Sequence, residues 1–403
     1  MKHIFAIFLL FFTSILGCQS QDIEPITKKG PDTILQTGAE QTELYLPIIQ
    51  GKQVAVVTNQ TGIIGQKHLV DSLLSKGINV IKVMSPEHGF RGQAAAGEQV
   101  KSSVDAKTGL PIVSLYGDHK KPTASDLSDV DIVLFDLQDV GVRFYTYIST
   151  LQYVMEACAE FNKPLIILDR PNPNGHFVDG PVLKDGFKSF VGMQPIPIVH
   201  GMTIGEYAKM LNGEGWLKDK VQCNLTVIKI KNYTHNTRYV LPIAPSPNLP
   251  TIESIYLYPS LCLFEGTPIS IGRGTKSPFE IYGHPDFKQF DTIFIPKPIP
   301  GKSNNPKWKN QSCKGYYLGN FAKEIGPGFN QINLFWLIDA YNELGKPKGF
   351  FTSFFNLLAG SDKLSKQIES GLSEEEIKKS WQEDINAFKL IRSKYLLYPD
   401  FTN

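Results

Sequence analysis

The chain has 403 residues, 42% of them apolar and 20% charged, which excludes global disorder and is enough for two sizeable cores. With 41 basic and 39 acidic side chains the formal charge is +2, so there is no overall electrostatic case for nucleic acid or an anionic surface as partner. The 27 prolines and 34 glycines point to many ordered loops, not to a bundle of long helices.

Met1, Lys2 and His3 precede an apolar run from Ile4 to Phe12, and Thr13-Ser14-Ile15-Leu16-Gly17-Cys18 follows it. A short positive start and an apolar stretch of this length read as an export signal, too short for a spanning helix. A small residue before a cysteine, with aliphatics ahead of it, also has the form of a bacterial lipoprotein cleavage site. Residues 1–18 are therefore expected to be a lipoprotein signal, with Cys18 carrying the lipid; in a plain signal peptide Cys18 would be incidental. Residues 19–43 are polar and read as a tether. Gln19, not an aspartate, follows the cysteine, so the expected anchor is an outer membrane, facing the periplasm.

From residue 44 apolar strands alternate with helical patterns. Strands are expected at Gln53–Thr58, Asn79–Met84, Ile112–Leu115, Asp131–Phe135 and Pro164–Leu168, with helices at Leu69–Lys76 and Tyr147–Glu160. Continuous apolar strands belong to sheets covered by helices on both faces. Residues 44–200 thus form an open, mostly parallel α/β domain. In such sheets ligands sit beyond the carboxyl ends of the strands. The polar clusters fall there: Thr58-Asn59-Gln60-Thr61-Gly62, Ser85 to Gly92, Asp136 to Arg143, and Asp169 to Pro173. Residues 201–403 read as α+β: a helix at Thr203–Leu211 capped by Thr203 and Glu206, a strand at Leu225–Ile230, a rigid proline-rich loop at Pro242–Thr251, a helix at Phe335–Asn342 and another at Ser373–Phe388. This half is expected to close one side of the crevice.

No three-glycine nucleotide turn follows the first strand, and Gly272-Arg273-Gly274-Thr275 lacks the lysine of a phosphate loop, so no cofactor is called for. The histidines lie in separate motifs without a metal spacing, and a GxSxG elbow is absent from the sequence. The four remaining cysteines, Cys158, Cys223, Cys262 and Cys313, match no metal pattern and indicate no particular pairing. Carboxylate chemistry is left. Glu87, held between Pro86 and His88 at a strand end, is the first candidate for a general acid, the alternative being a carboxylate that stabilises its own loop. Asp136 and Asp139, three apart and followed by Arg143, supply either the second carboxylate of glycosidic hydrolysis or a buried brace between loops. Tyr145 and Tyr147 suit a sugar-binding wall or the packing of the second half. His200 is a hydrogen-bond partner or a structural histidine. Arg273, set among glycines near Glu265, is suited to a bidentate grip on a ligand carboxylate or to pinning a loop.

Taken in order, SPEHGFRG (85–92), DLQDVGVRFYTY (136–147), DRPNP (169–173), VHGMTIGE (199–206), FEGTPISIGRGTKSPFE (264–280) and RSKYLLY (392–398) resemble the bacterial exo-β-N-acetylmuramidase family, NamZ-like glycoside hydrolases long known as a domain of unknown function. The resemblance spans residues 43–400. It implies a Rossmann-like domain, a smaller C-terminal domain and an active site in the cleft between them. It also implies removal of terminal, non-reducing N-acetylmuramic acid from β-1,4-linked peptidoglycan fragments. An endo-acting muramidase and an N-acetylglucosaminidase would be its functional partners. On that basis Glu87 is the expected catalytic acid, with Asp139 and Glu265 as candidate second catalytic groups. Asn59, His88, Arg91, Asp136, Arg143, Tyr145, His200, Arg273 and Thr275 are expected to bind substrate. Arg273 or Arg143 would then distinguish muramic acid from glucosamine through the lactyl carboxylate. An amidase or esterase acting on the same polymer, or a glycan-binding lipoprotein without activity, are the alternatives.

Overall fold

A computed structural model describes residues 34–87, 89–91 and 103–401, without the side chain of Pro327. Cys18 and His88 therefore lie outside the described residues. Helix α1 (Thr42–Ile49) leads into β1 (Val54–Thr58) and a small hairpin, β2 (Ile63–Ile64) and β3 (Lys67–His68). Helix α2 (Leu69–Ser75), β4 (Val80–Ser85), β5 (Ser103–Val104), β6 (Pro111–Ser114), α3 (Ala124–Leu127), β7 (Ile132–Asp136), α4 (Tyr147–Glu160) and β8 (Leu165–Leu168) complete the first half. Then come α5 (Ile204–Gly213), β9 (Leu225–Ile228), α6 (Ile252–Leu261), β10 (Ile281–His284), β11 (Thr292–Phe294) and β12 (Cys313–Tyr317). Six helices end the chain: α7 (Gly319–Ile325), α8 (Phe335–Glu343), α9 (Ser353–Ala359), α10 (Lys363–Glu369), α11 (Glu374–Lys379) and α12 (Gln382–Arg392).

The main sheet has seven strands in the order β5-β6-β4-β1-β7-β8-β9, all parallel except β5 at its edge. It takes its seventh strand from residues 225–228, beyond the boundary expected at residue 200. Alternate residues of each strand enter different cores. Ala55, Val57, Val133, Phe135, Leu165 and Ile167 pack under α4 and α5, while Val54, Val56, Ile132, Leu134, Ile166 and Leu168 pack under α1 and α2. This two-sided burial makes the strands continuous apolar runs. A three-stranded antiparallel sheet, β10-β12-β11, belongs to the second half.

Two expectations change in detail. Residues 36–43, the end of the expected tether, are docked on the body: Gln36 bridges Lys231, the Gly38 amide donates to the Asp169 carbonyl, and Gly38 lies so close to Leu168, Asp169 and Ile228 that a Cβ would collide. The single helix expected at 373–388 is two, α11 and α12. Ser373 caps α11 together with Glu376, and the chain turns at Trp381, whose indole donates to the buried Asp179 carboxylate at 3.1 Å. That inward hydrogen bond outweighs the continuation of one helical face.

Candidate active site

Strand order reverses between β1 and β7, which run side by side to their carboxyl ends with Thr58 opposite Asp136. A crevice opens at such a reversal, because the connections on its two sides leave in opposite directions. The cleft lies at this edge, with a volume of about 660 Å³, and an inner recess of about 60 Å³ joins it. Glu87, Phe144, Thr146, Tyr258 and Arg273 line both.

Glu87 arrives two residues after β4. Gly89 closes the turn, with a φ of +73° and an amide donating to the Pro86 carbonyl at 3.1 Å. Phe90 is buried edge-on against His68, with ring centroids 4.9 Å apart. Arg91 lies over the Phe90 ring and donates to both oxygens of Asp105, at 3.2 and 2.8 Å. The Arg91 guanidinium holds the Asp105 carboxyl down at about 2. Arg91 is not among the residues that line the cleft; it fastens the loop behind Glu87. Tyr116, just past β6, hydrogen-bonds the Glu87 carboxyl, and burial together with that negative neighbour pushes its phenol well above the ordinary range.

The opposite wall is built on glycines. Gly272 and Gly274 have φ of +75° and +82°, and a Cβ on either would meet backbone or a packed side chain at 2.3–2.5 Å. Between them Arg273 reaches into the cleft, lies over the Phe279 ring, and directs Nε and Nη2 at Glu265 Oε1, both at 2.6 Å. Lys307 steadies the Glu265 segment by donating to the carbonyls of Phe264, Glu265 and Thr267, and burial brings its ammonium down to about 8. Thr275 does not line the cleft; its hydroxyl donates to the Gly272 carbonyl at 2.6 Å and tightens the same turn.

Tyr145 and Tyr147 line the inner recess, and both hydroxyls donate to the Pro245 carbonyl, at 2.8 and 3.2 Å. Asn59 is buried and orients Tyr147, its Nδ2 donating to the phenol oxygen at 2.7 Å, while its Oδ1 accepts from Thr61.

Beneath the cleft lies a set of polar residues that are not among its lining residues. Asp136 is fully buried and takes a bidentate pair from Arg170, at 2.5 and 2.9 Å; its arginine is Arg170, not Arg143. Arg143 is fully buried and donates to the carbonyls of Pro181, Ile196 and Leu358 at 2.7–2.8 Å, and burial lowers its guanidinium to about 9. Asp139 accepts from the Gly141 amide at 2.7 Å, and burial pushes its carboxyl up to about 7. His200 lies 3.9 Å from it and is brought down to about 3, by burial first and then by the charges of Arg392 and Arg143. The free oxygen of Asp139 and Nε2 of His200 have no hydrogen-bond partner among the described residues.

The structure thus brings Glu87, Glu265, Arg273 and Tyr145 to one cavity and sets Asn59, Arg91, Asp136, Asp139, Arg143, His200 and Thr275 behind it. Tyr116, Asn248, Tyr258 and Lys302 also line the site and were missing from the sequence reading. Tyr116 carried a signal, since it follows a parallel strand at the same sheet edge as Glu87. Asn248 sits in the proline-rich loop, and Lys302 carried none.

Two family models cover the chain: the N-terminal region of exo-β-N-acetylmuramidase NamZ over residues 54–253 and its C-terminal region over residues 256–398. The chain belongs to the NamZ exo-β-N-acetylmuramidase family. It is 39% identical to the peptidoglycan β-N-acetylmuramidase NamZ of Bacillus subtilis (strain 168), over 98% of this chain and 100% of that protein. Two crystal structures of DUF1343 family proteins from Bacteroides fragilis NCTC 9343 share the fold. One is 50% identical with a TM-score of 0.84, covering 91% of this chain and 99% of that one. The other is 30% identical with a TM-score of 0.77, covering 91% and 100%.

Proposed function

We propose that this family member is an exo-acting β-N-acetylmuramidase that removes terminal, non-reducing N-acetylmuramic acid from peptidoglycan fragments, with Glu87 as its acid. The observation that carries this reading is the position of Glu87, which faces both the open cleft and its inner recess across from the Glu265–Arg273 pair. A wide cleft joined to a small recess suits a sugar at a chain end, with the rest of the chain lying outward. Glu87 gives its proton to the leaving glycosidic oxygen as the bond to C1 breaks; a water oxygen bonds to C1, and the proton that water releases restores the acid form of Glu87. Glu265 is the better second carboxylate of the two candidates: it faces the cavity as an ion held by Arg273, whereas Asp139 is buried beneath it. A carboxylate there stabilises the developing positive charge on the sugar. Tyr145 and Tyr147, buried and tied to the Pro245 carbonyl, shape the recess that receives the sugar.

Export and anchoring through a lipid on Cys18 belong to the same proposal, supported by the Leu16-Gly17-Cys18 pattern and its apolar lead. A Cys18→Ala chain that leaves the membrane fraction supports the anchor; one that stays with it argues against.

The deciding experiment supplies a defined disaccharide with terminal muramic acid and follows free N-acetylmuramic acid by mass spectrometry, with the Glu87→Gln protein alongside. Release by the wild type and its loss in the variant are expected. Undiminished release by a folded variant would remove Glu87 from the chemistry.

A further inference from the structure

The substrate in this reading carries a lactyl carboxylate, and the cleft must meet it with positive charge. The two arginines expected for that task already have partners within the protein. Arg143 is buried and spends its guanidinium on three backbone carbonyls, and Arg273 directs two nitrogens at Glu265. Among the described residues one further cation lines the cleft. Lys302 is exposed, and its ammonium makes no ion pair or hydrogen bond with any described residue.

Its backbone, by contrast, is fixed. The Lys302 amide donates to the Ile299 carbonyl at 3.1 Å inside a turn closed by the Ile299–Ser303 bridge. Asn248, which lines the inner recess, donates to the Lys302 carbonyl at 2.9 Å. The Lys297 amide donates to the Gly274 carbonyl at 2.9 Å, which ties the segment to the turn that carries Arg273. An uncommitted cation therefore stands on a mount anchored to both parts of the site. The charges agree. Arg273 is answered by Glu265, whereas no carboxylate among the described residues pairs with Lys302, and a substrate carboxylate supplies the missing partner.

We propose that Lys302 is the specificity residue of this cleft, pairing its ammonium with the lactyl carboxylate of the terminal sugar. The inference rests on the reaction proposed above. A flexible stem on an anchored turn lets the ammonium follow the carboxylate, and an interaction made equally in ground and transition states appears in KM and not in kcat.

The test uses the 4-nitrophenyl β-glycoside of N-acetylmuramic acid as substrate. Free N-acetylmuramic acid and its lactyl methyl ester serve as competing inhibitors. Lys302→Met is expected to raise KM and the inhibition constant of the free acid together by about 10- to 100-fold, with kcat within about threefold. The inhibition constant of the neutral ester should not move. Lys302→Arg should restore most of the loss, and added salt should weaken the wild type toward the acid more than Lys302→Met. An unchanged KM in Lys302→Met, or equal losses for acid and ester, would overturn the assignment while the reaction stands. A folded wild type that cleaves neither this glycoside nor a muramic-acid-terminated disaccharide would overturn the reaction itself.

Discussion

Two polar stretches leave neighbouring parts of one sheet at the same edge, and they end in opposite circumstances. After β4, Glu87 emerges into the cleft; at the end of β7 and just beyond it, Asp136, Asp139 and Arg143 stay inside the protein. The residue types hardly differ. What differs is how the loop after the strand is covered. β7 lies between β1 and β8, and the segments around Asn172 and His200 cover the loop that follows it: Asn174 donates to the Val140 carbonyl at 2.9 Å, and the Arg143 amide to the Ile198 carbonyl at 2.7 Å. β4 lies as far from its own edge as β7 does from the other, but its loop is pinned from behind by Arg91 and Asp105 and its tip lines the cleft. A carboxylate at a strand end is thus a reactive group or a brace according to what its oxygens already meet.

The comparison is tested most sharply at Glu87. Glu87→Gln should lower kcat by about 10²- to 10⁴-fold, the span a positioned acid contributes, with an unchanged melting temperature. A variant that loses stability in proportion to activity would move Glu87 to the bracing side. Arg170→Met is the counterpart beneath the cleft. It strands the buried Asp136 charge and should cost about 3–5 kcal/mol in denaturant unfolding. If unfolding moves by less than about 1 kcal/mol, the pair beneath β7 is not the brace described.

The strands were legible because two-sided burial leaves an unmistakable apolar run, as in Val54–Thr58 and Ile132–Asp136. Their order was not, since nothing local in Leu225–Ile228 tells it to extend the first sheet beside β8. The site divides in the same way. Glu87 and Arg273 announce themselves through prolines and glycines that shape the backbone around them. Lys302 and Asn248 reach the cleft only because distant loops close on one another, a tertiary fact with no local trace. Arg143 shows the converse limit: charge alone does not reveal that its partners are three carbonyls from other segments.

A smaller effect is expected where a neighbour only tunes the acid. Tyr116→Phe keeps the ring and removes one hydrogen bond to Glu87, worth about 1 kcal/mol, so kcat/KM should fall about fivefold. A loss as large as that of Glu87→Gln would make the phenol a participant in proton transfer and no longer a neighbour.

Asp139 gives the finest test, because its role as a brace carries a pH signature. Its carboxyl sits at about 7 in the folded protein against 3.8 when unperturbed, because burial disfavours the ion. The folded chain keeps a proton that the unfolded chain gives up between those values. The stability linked to it is fully present below pH 3.8 and is lost as the pH rises toward about 7. Asp139→Asn cannot ionise, so the variant should gain on the wild type across that window and hold a constant lead above it. Asp169, raised to about 6 in the same direction, stays in both proteins and cancels in the difference. Parallel melting curves from pH 4 to pH 8 would mean that the ionised form is held by His200 after all, across a gap now 3.9 Å wide. Turnover separates the two regions once more. As a residue behind the wall, Asp139 should lose less than about tenfold in kcat on conversion to Asn, and a hundredfold loss would put it in the chemistry beside Glu87.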